Sequence, residues 1–156
     1  MEHSGLNEKQ LRYLKNVKSA SGYVENLVND LLDFSKLEAG KIHLERVPFV
    51  LYSLIEETAL HFKEIHSKKE VELQFDITED LSKPILSDPF RMRQILTNII
   101  GNAFKFTDKG FVKIITSIEE NNTGQKAIIK VVDTGIGIEK EKQELIFKEF
   151  TQAENT

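Results

Sequence analysis

Asn98, Asn102 and Lys105 stand four and three residues apart, the spacing that brings side chains onto one face of a helix. Two amide oxygens beside one ammonium form a set suited to a hydrated magnesium ion and the phosphate oxygens around it. Asn is a poor mid-helix residue because its side chain competes for backbone hydrogen bonds. A solvated polar face has the same composition, and the helix alone does not separate the two readings.

A second constellation, Asp133-Thr134-Gly135-Ile136-Gly137-Ile138, follows the strand-like run Ile128–Val132. A carboxylate at a strand end can accept a hydrogen bond from an exocyclic amine such as that of adenine. Gly135 and Gly137 let backbone approach a ligand closely, and Ile136 and Ile138 would supply an apolar wall. An ordinary turn closing a core strand uses the same residues. Neither Gly-x4-Gly-Lys-Ser/Thr nor a complete Gly-x-Gly-x-x-Gly occurs, so a nucleotide would be held by another scheme. Phe147 and Phe150 are three apart, one helical turn, and fit a helix packing two rings into a core. His3, His43, His61 and His66 follow no metal-binding spacing and read as exposed or capping residues.

The elements that must position these residues follow from periodicity. Residues Asn7 to Ala39 read as one long helix, because Tyr13, Val17, Ala20, Val24, Leu27, Leu31 and Phe34 alternate at four and three, a heptad seam. Leu14, Val28 and Leu32 widen the stripe toward that of a bundle helix. Gly40 stops it, with Lys36 and Lys41 near its negative end. Lys41–Val50 reads as a strand, with Pro48 pointing to an edge. Leu51–Ile65 reads as a helix with Leu51, Leu54, Ile55, Thr58, Leu60 and Phe62 on its apolar face. Val71, Leu73, Phe75 and Ile77 alternate with polar residues as a half-buried strand. Asp88-Pro89 is a helix start, a capping carboxylate followed by Pro at the first helical position. That helix runs to Phe106, with an apolar stripe of Met92, Ile95, Leu96, Ile99, Ile100 and Ala103. Phe111–Ile118 and Lys126–Asp133 read as paired strands joined by a loop, Glu119–Gln125, with Asn122 and Gly124 as turn residues. The predicted fold is α+β: a long N-terminal helix, then helices on one face of a mixed sheet in a two-layer sandwich.

Composition excludes several classes. Acidic residues outnumber basic ones, 25 to 21, which argues against a nucleic-acid platform. The absence of cysteine removes disulfides, thiolate metal sites and a Cys nucleophile. No apolar run approaches the ~20 residues of a membrane span, and Met1–Gln10 has no signal-peptide core. The chain is expected to be soluble and cytoplasmic, without membrane contact of its own. The whole protein is free to be anchored in the inner membrane through residues outside it.

Taken in order, four blocks of the chain resemble sensor histidine kinases of bacterial two-component systems. Leu31–Lys41 (LLDFSKLEAGK) resembles the end of the second helix of the dimerisation and phosphotransfer domain. Asp88–Thr107 resembles the N box, Asp133–Ile138 the first glycine box, and Phe147–Phe150 with Thr151–Asn155 the F box and its exit. The resemblance implies an ATP-binding sandwich of the kind shared with DNA gyrase and a heat-shock chaperone class. It implies that Asn102 binds magnesium, Asn98 meets the metal-phosphate region, Lys105 contacts phosphate and Phe106 borders the nucleotide. Asp133 would accept from the adenine amine, with Gly135, Gly137 and Ile138 shaping the pocket. The wider superfamily has a water-activating Glu near the Asn98 position. Asn there suits transfer to a protein histidine, which needs positioning and charge neutralisation more than a strong base.

By the same resemblance, residues 1–40 would be the second dimerisation helix and 41–156 the ATP-binding catalytic domain. The family's phosphoacceptor lies in a His-Glu-Ile/Leu-Arg-Thr-Pro motif, and none of the four histidines has that context. The ATP lid and second glycine box would follow Thr156. The expectation is a piece of a larger kinase whose acceptor histidine lies outside this chain. By itself it would bind ATP weakly or not at all and would not autophosphorylate. A response regulator receiver domain is the implied partner of the parent. A dimerising scaffold with a vestigial nucleotide site and a serine-directed anti-sigma kinase of the same fold are the competing readings. Intact Asn98, Asn102, Lys105 and Asp133 weigh against the scaffold, and the long helix ending in Phe34-Ser35-Lys36 against the anti-sigma kinase. An apolar stripe without its hairpin partner seeks another copy. The chain should therefore form a homodimer through Val17, Val24, Leu27, Leu31 and Phe34; light scattering at about micromolar protein checks this, and a monomer contradicts it.

Overall fold

In the computed structural model, which describes residues 5–121, 124–144 and 146, Asn7 opens the first helix, α1 (Glu8–Glu38). Its side chain accepts from the Gln10 N–H at 3.0 Å while the Gln10 side chain accepts from the Asn7 N–H at 2.8 Å, a reciprocal cap for two orphan donors. The other end closes on Gly40, whose φ of 62° is left-handed and open to Gly without strain. Gly40 N–H donates to Leu37 and Lys41 N–H to Lys36, the paired bonds that satisfy a helix's last carbonyls. The chain divides into two compact units, Met1–Leu44 and Glu45–Thr156, and α1 is the body of the first. Its seam residues Val17, Val24, Leu27 and Leu31 are all exposed.

The second unit begins with β1 (Val47–Val50), which runs directly into α2 (Leu51–Ile65). β2 (Glu70–Asp76) follows, then a 3-10 turn at Glu79–Ser82 and β3 (Pro84–Ser87). α3 spans Pro89–Phe106. β4 (Lys109–Asn121), β5 (Gly124–Asp133) and a four-residue helix, α4 (Lys140–Gln143), complete the order. β1 and β3 pair antiparallel as a two-stranded ribbon, with Phe49 opposite Ile85. The main sheet has the order β2-β4-β5, with β2 and β4 parallel and β4 and β5 antiparallel. A parallel pair needs a long crossover, and α3 provides it. The core joins Leu51, Leu54, Ile55 and Ala59 of α2 to Leu96, Ile100, Ala103 and Phe104 of α3. Val71, Val112 and Ile114 supply the sheet's side of it. The result is the helix-and-sheet sandwich that the sequence predicts. No helix among the described residues is long and apolar enough to cross a membrane.

Several local expectations are corrected. The Lys41–Val50 strand shrinks to Val47–Val50, the stretch that faces β3. β3 itself and the 3-10 turn escape the sequence reading, because four residues beginning with Pro carry no detectable period. The Glu119–Gln125 loop is mostly ladder: pairing continues through Glu120 opposite Gln125 and Asn121 opposite Gly124. Leu60 is 52% exposed, with Ala59 buried in its place. Ile95 and Ile99 are 54% and 49% exposed, since the buried face of α3 runs Leu96–Ile100–Ala103–Phe104. Ile95 and Ile99 instead share the face that holds Asn98 and Asn102, at helical spacings of three and four. Phe147, Phe150, the residues after them, Asn122 and His3 lie outside the described residues.

Asp88 ties the start of α3 to the start of this unit. It caps α3, accepting from Arg91 N–H at 3.0 Å, and its other oxygen accepts from Glu45 N–H at 3.1 Å. The Arg91 N–H is the main reason the carboxyl sits below its ordinary value; burial opposes it, and the N–H groups of Glu45 and Phe90 add to it. A carboxyl with a lowered folded pKa stabilises fully above its unfolded pKa of about 3.9 and loses that contribution as pH falls through the folded value. Asp88→Ala should therefore melt below wild type at pH 7, with a gap that narrows below about pH 4. Thermal melts across pH check this, and an equal gap at both ends of the range contradicts it.

Candidate functional site

α3 presents Asn98, Asn102 and Lys105 together on an exposed face. The Asn102 side-chain amide donates to the Asn98 oxygen at 3.4 Å, and the Asn102 oxygen has no hydrogen-bond partner among the described residues. One turn later the Lys105 ammonium lies 4.9 Å from the Phe106 ring centre, within cation–π range. The sequence-predicted trio is thus one surface, bordered by an aromatic ring and flanked by the apolar Ile95 and Ile99.

The second constellation forms at the end of β5, where Asp133 stands opposite Val112. Asp133 Oδ1 accepts from the Gly135 N–H at 2.9 Å, closing a tight side-chain turn. The other carboxylate oxygen has no partner among the described residues, and the side chain is exposed. It is free to accept from an amine of a ligand. Thr134 anchors the turn to β4: its hydroxyl accepts from Phe111 N–H at 2.9 Å and its own N–H donates to the Phe111 carbonyl at 3.2 Å. Gly137 has φ 72°, and Ile136 and Ile138 are exposed at 69% and 46%.

The two constellations meet at one hydrogen bond. Ile136 N–H donates to the Phe106 carbonyl at 3.3 Å, joining the glycine turn to the last residue of α3. The approach is so close that a Cβ on Gly135 would stand 2.5 Å from that carbonyl oxygen and 2.8 Å from Asp133 Oδ1. Gly135 is therefore required by proximity rather than by its backbone angle. Asn98 and Asn102 make no hydrogen bond to the turn among the described residues; they reach it only through the length of α3.

Two participants escape the sequence reading. Thr134 sits inside a quoted motif, but its double link to Phe111 depends on a strand pairing that spacing does not reveal. Lys69 lies in the run Ser67-Lys68-Lys69-Glu70, which reads as a solvated turn. Its ammonium instead contacts the carbonyls of Phe104 at 3.0 Å, Lys105 at 2.7 Å and Thr107 at 3.1 Å, and Asp108 Oδ1 at 3.0 Å. A nearby open depression is lined by Lys63, Lys69, Glu70 and Lys109. Its lysines are already committed, Lys63 to the Val71 carbonyl and Lys109 to Glu70, so it offers no ready anion site.

Among the described residues no group of three or more His, Cys, Asp or Glu is placed to hold a metal. The donor set still suits magnesium, which keeps several waters and needs few protein oxygens when phosphates supply the rest. The unpartnered Asn102 oxygen is such a donor.

Residues 87–156 match the family described as histidine kinase-, DNA gyrase B-, and HSP90-like ATPase. The chain is 37% identical over 150 residues to the signal transduction histidine-protein kinase BarA of Escherichia coli K12, covering 96% of this chain and 16% of that protein. It is 34% identical over 157 residues to the sensor histidine kinase GacS of Pseudomonas protegens, covering 100% of this chain and 17% of that one. The chain thus spans about a sixth of each of these two relatives. Among solved structures it resembles full-length ShkA in complex with AMPPNP, with a TM-score of 0.78 and 32% identity over 96% of this chain and 31% of that one. Residues 87–156 thus match the histidine kinase-, DNA gyrase B-, and HSP90-like ATPase family model, and the chain is similar along nearly its whole length to part of these sensor histidine kinases.

Proposed function

We infer that this chain is the nucleotide-handling part of an ATP-dependent protein-histidine kinase acting in two-component signalling. The observation that carries the reading is the Ile136–Phe106 hydrogen bond, which makes one site of two constellations. On one side of it stands a carboxylate oxygen free to accept from the adenine amine. On the other stand an aromatic border, an ammonium and amide oxygens suited to phosphates. We read residues 1–40 as the second helix of a dimerisation and phosphotransfer domain and 41–156 as the ATP-binding catalytic domain; the separation into two units supports that division. The exposed seam of α1 supports a homodimer built on it. The relatives' roles in signal transduction support a response regulator receiver domain as downstream partner.

In the transfer, the bond between the γ-phosphorus and its bridging oxygen breaks, ADP leaves, and a bond to a histidine nitrogen outside this chain forms. Positioning and charge neutralisation dominate such a reaction. Asp133 fixes the base, and the backbone around Gly135 and Gly137 lets it lie close. Phe106 and Ile138 cover its apolar faces. Lys105 neutralises phosphate charge, while Asn102 would hold magnesium and Asn98 would meet the metal-phosphate region. Magnesium, when bound, would neutralise charge on the phosphate oxygens. An amide at position 98 is a poor base and activates no water, which favours transfer over hydrolysis.

Calorimetric titration with a nonhydrolysable ATP analogue, with and without magnesium, tests the reading on the chain extended into its natural C-terminal flank. Asp133→Ala should weaken binding by about tenfold or more, about 1.4 kcal/mol, with the fold intact. Equal affinity in the two proteins, or no binding by the extended and folded protein, contradicts it and leaves a dimerising scaffold with a vestigial site.

A further inference from the structure

The last four carbonyls of a helix have no partner within it. In α3 those of Phe104 and Lys105 both go to the Lys69 ammonium, and that of Phe106 goes to Ile136. Lys69 also takes the Thr107 carbonyl and the Asp108 carboxylate just past the helix. A cation at a helix C-terminus also opposes the negative end of the helix dipole. Its side chain is 24% exposed, unusually covered for lysine. The turn that carries it is itself fastened to α3, since the His66 ring stacks on Phe104 with centroids 6.0 Å apart. Lys69 touches none of Asn98, Asn102 and Asp133, but it holds the peptides on either side of the Phe106 carbonyl.

We propose that Lys69 is a positioning residue for the nucleotide site: by gathering the carbonyls that flank Phe106, it fixes the register between the phosphate-facing end of α3 and the glycine turn at Asp133–Gly137. This rests on the nucleotide reading above and adds a residue from the α2–β2 turn to it. Asp108 is 89% exposed in its side chain, and its ion pair is the dispensable part of the cluster.

Amide hydrogen exchange and a titration with AMPPNP and magnesium followed by NMR, both on the 156-residue chain, test the proposal. Lys69→Met should speed exchange at the Ile136 amide by about tenfold beyond any change in global stability. It should also weaken AMPPNP binding by about fivefold or more. Lys69→Arg, which keeps charge and donors, should restore both to within about twofold. Asp108→Asn should stay within the same range. Ile114→Val, a core change of comparable destabilisation away from the cap, should leave Ile136 exchange and affinity unchanged. If Lys69→Met and Ile114→Val behave alike, or Lys69→Met leaves both readouts at wild-type values, the proposal is overturned. Should Lys69→Met not fold, Lys69→Gln, which keeps one donor, takes its place under the same criteria. If neither the unaltered chain nor its C-terminally extended form shows nucleotide-induced shifts, the nucleotide reading fails on its own. The exchange at Ile136 then decides whether Lys69 sets the register.

Discussion

α3 ends in carbonyls that must find donors outside the helix, and the way they are satisfied organises the second unit. Thr107 N–H takes the Ala103 carbonyl at 3.1 Å, Lys69 takes the next two, and Ile136 takes the last. The bond to the Phe104 carbonyl is part-buried and that to the Lys105 carbonyl exposed, so each contributes modestly, about 0.5–1.5 kcal/mol for a typical hydrogen bond. The donors come from the helix itself, the α2–β2 turn and the turn after β5. Satisfying one helix end thereby brings together three stretches of chain that are far apart in sequence.

The helix's other end carries the matching constraint. Asp88 satisfies the first turn of α3 and holds Glu45, where the second unit begins. The face between those ends is free to be polar, because Leu96, Ile100, Ala103 and Phe104 anchor the opposite one in the core. Two mid-helix Asn residues, unfavourable by propensity, are affordable on a helix so well fixed by packing and caps. That is the expected pattern at a functional surface, where local preference yields to chemistry.

Much of this was legible in the residues alone. The bounds of α2 and α3 are marked by strong periodicity and by Asp88-Pro89, and α1 by its seam and Gly40. The alignment of Asn98, Asn102 and Lys105 follows from helical spacing. What was not legible depends on pairing across the chain. β3 is too short to show a period, and its strand identity comes from β1. The exposure of Ile95 and Ile99 follows from how α3 is rotated against α2 and the sheet, and apolar residues on two adjacent faces do not specify that rotation. The ladder through Glu119–Asn121 is polar on the sequence level and looks like loop. Lys69 was hidden for the plainest reason: a lysine in a charged turn almost always points into water, and only the position of a helix end from another part of the chain shows that this one does not.

On the function proposed above, the face of α3 and the glycine turn form a single nucleotide site. Its most direct measurement is an NMR titration of this chain with AMPPNP and magnesium, which reads weak binding residue by residue. For a single site, the side-chain amides of Asn98 and Asn102 and the backbone amides of Gly135 and Ile136 should shift together and saturate with one dissociation constant. Shifts confined to one constellation, or two sets saturating at different concentrations, would contradict it.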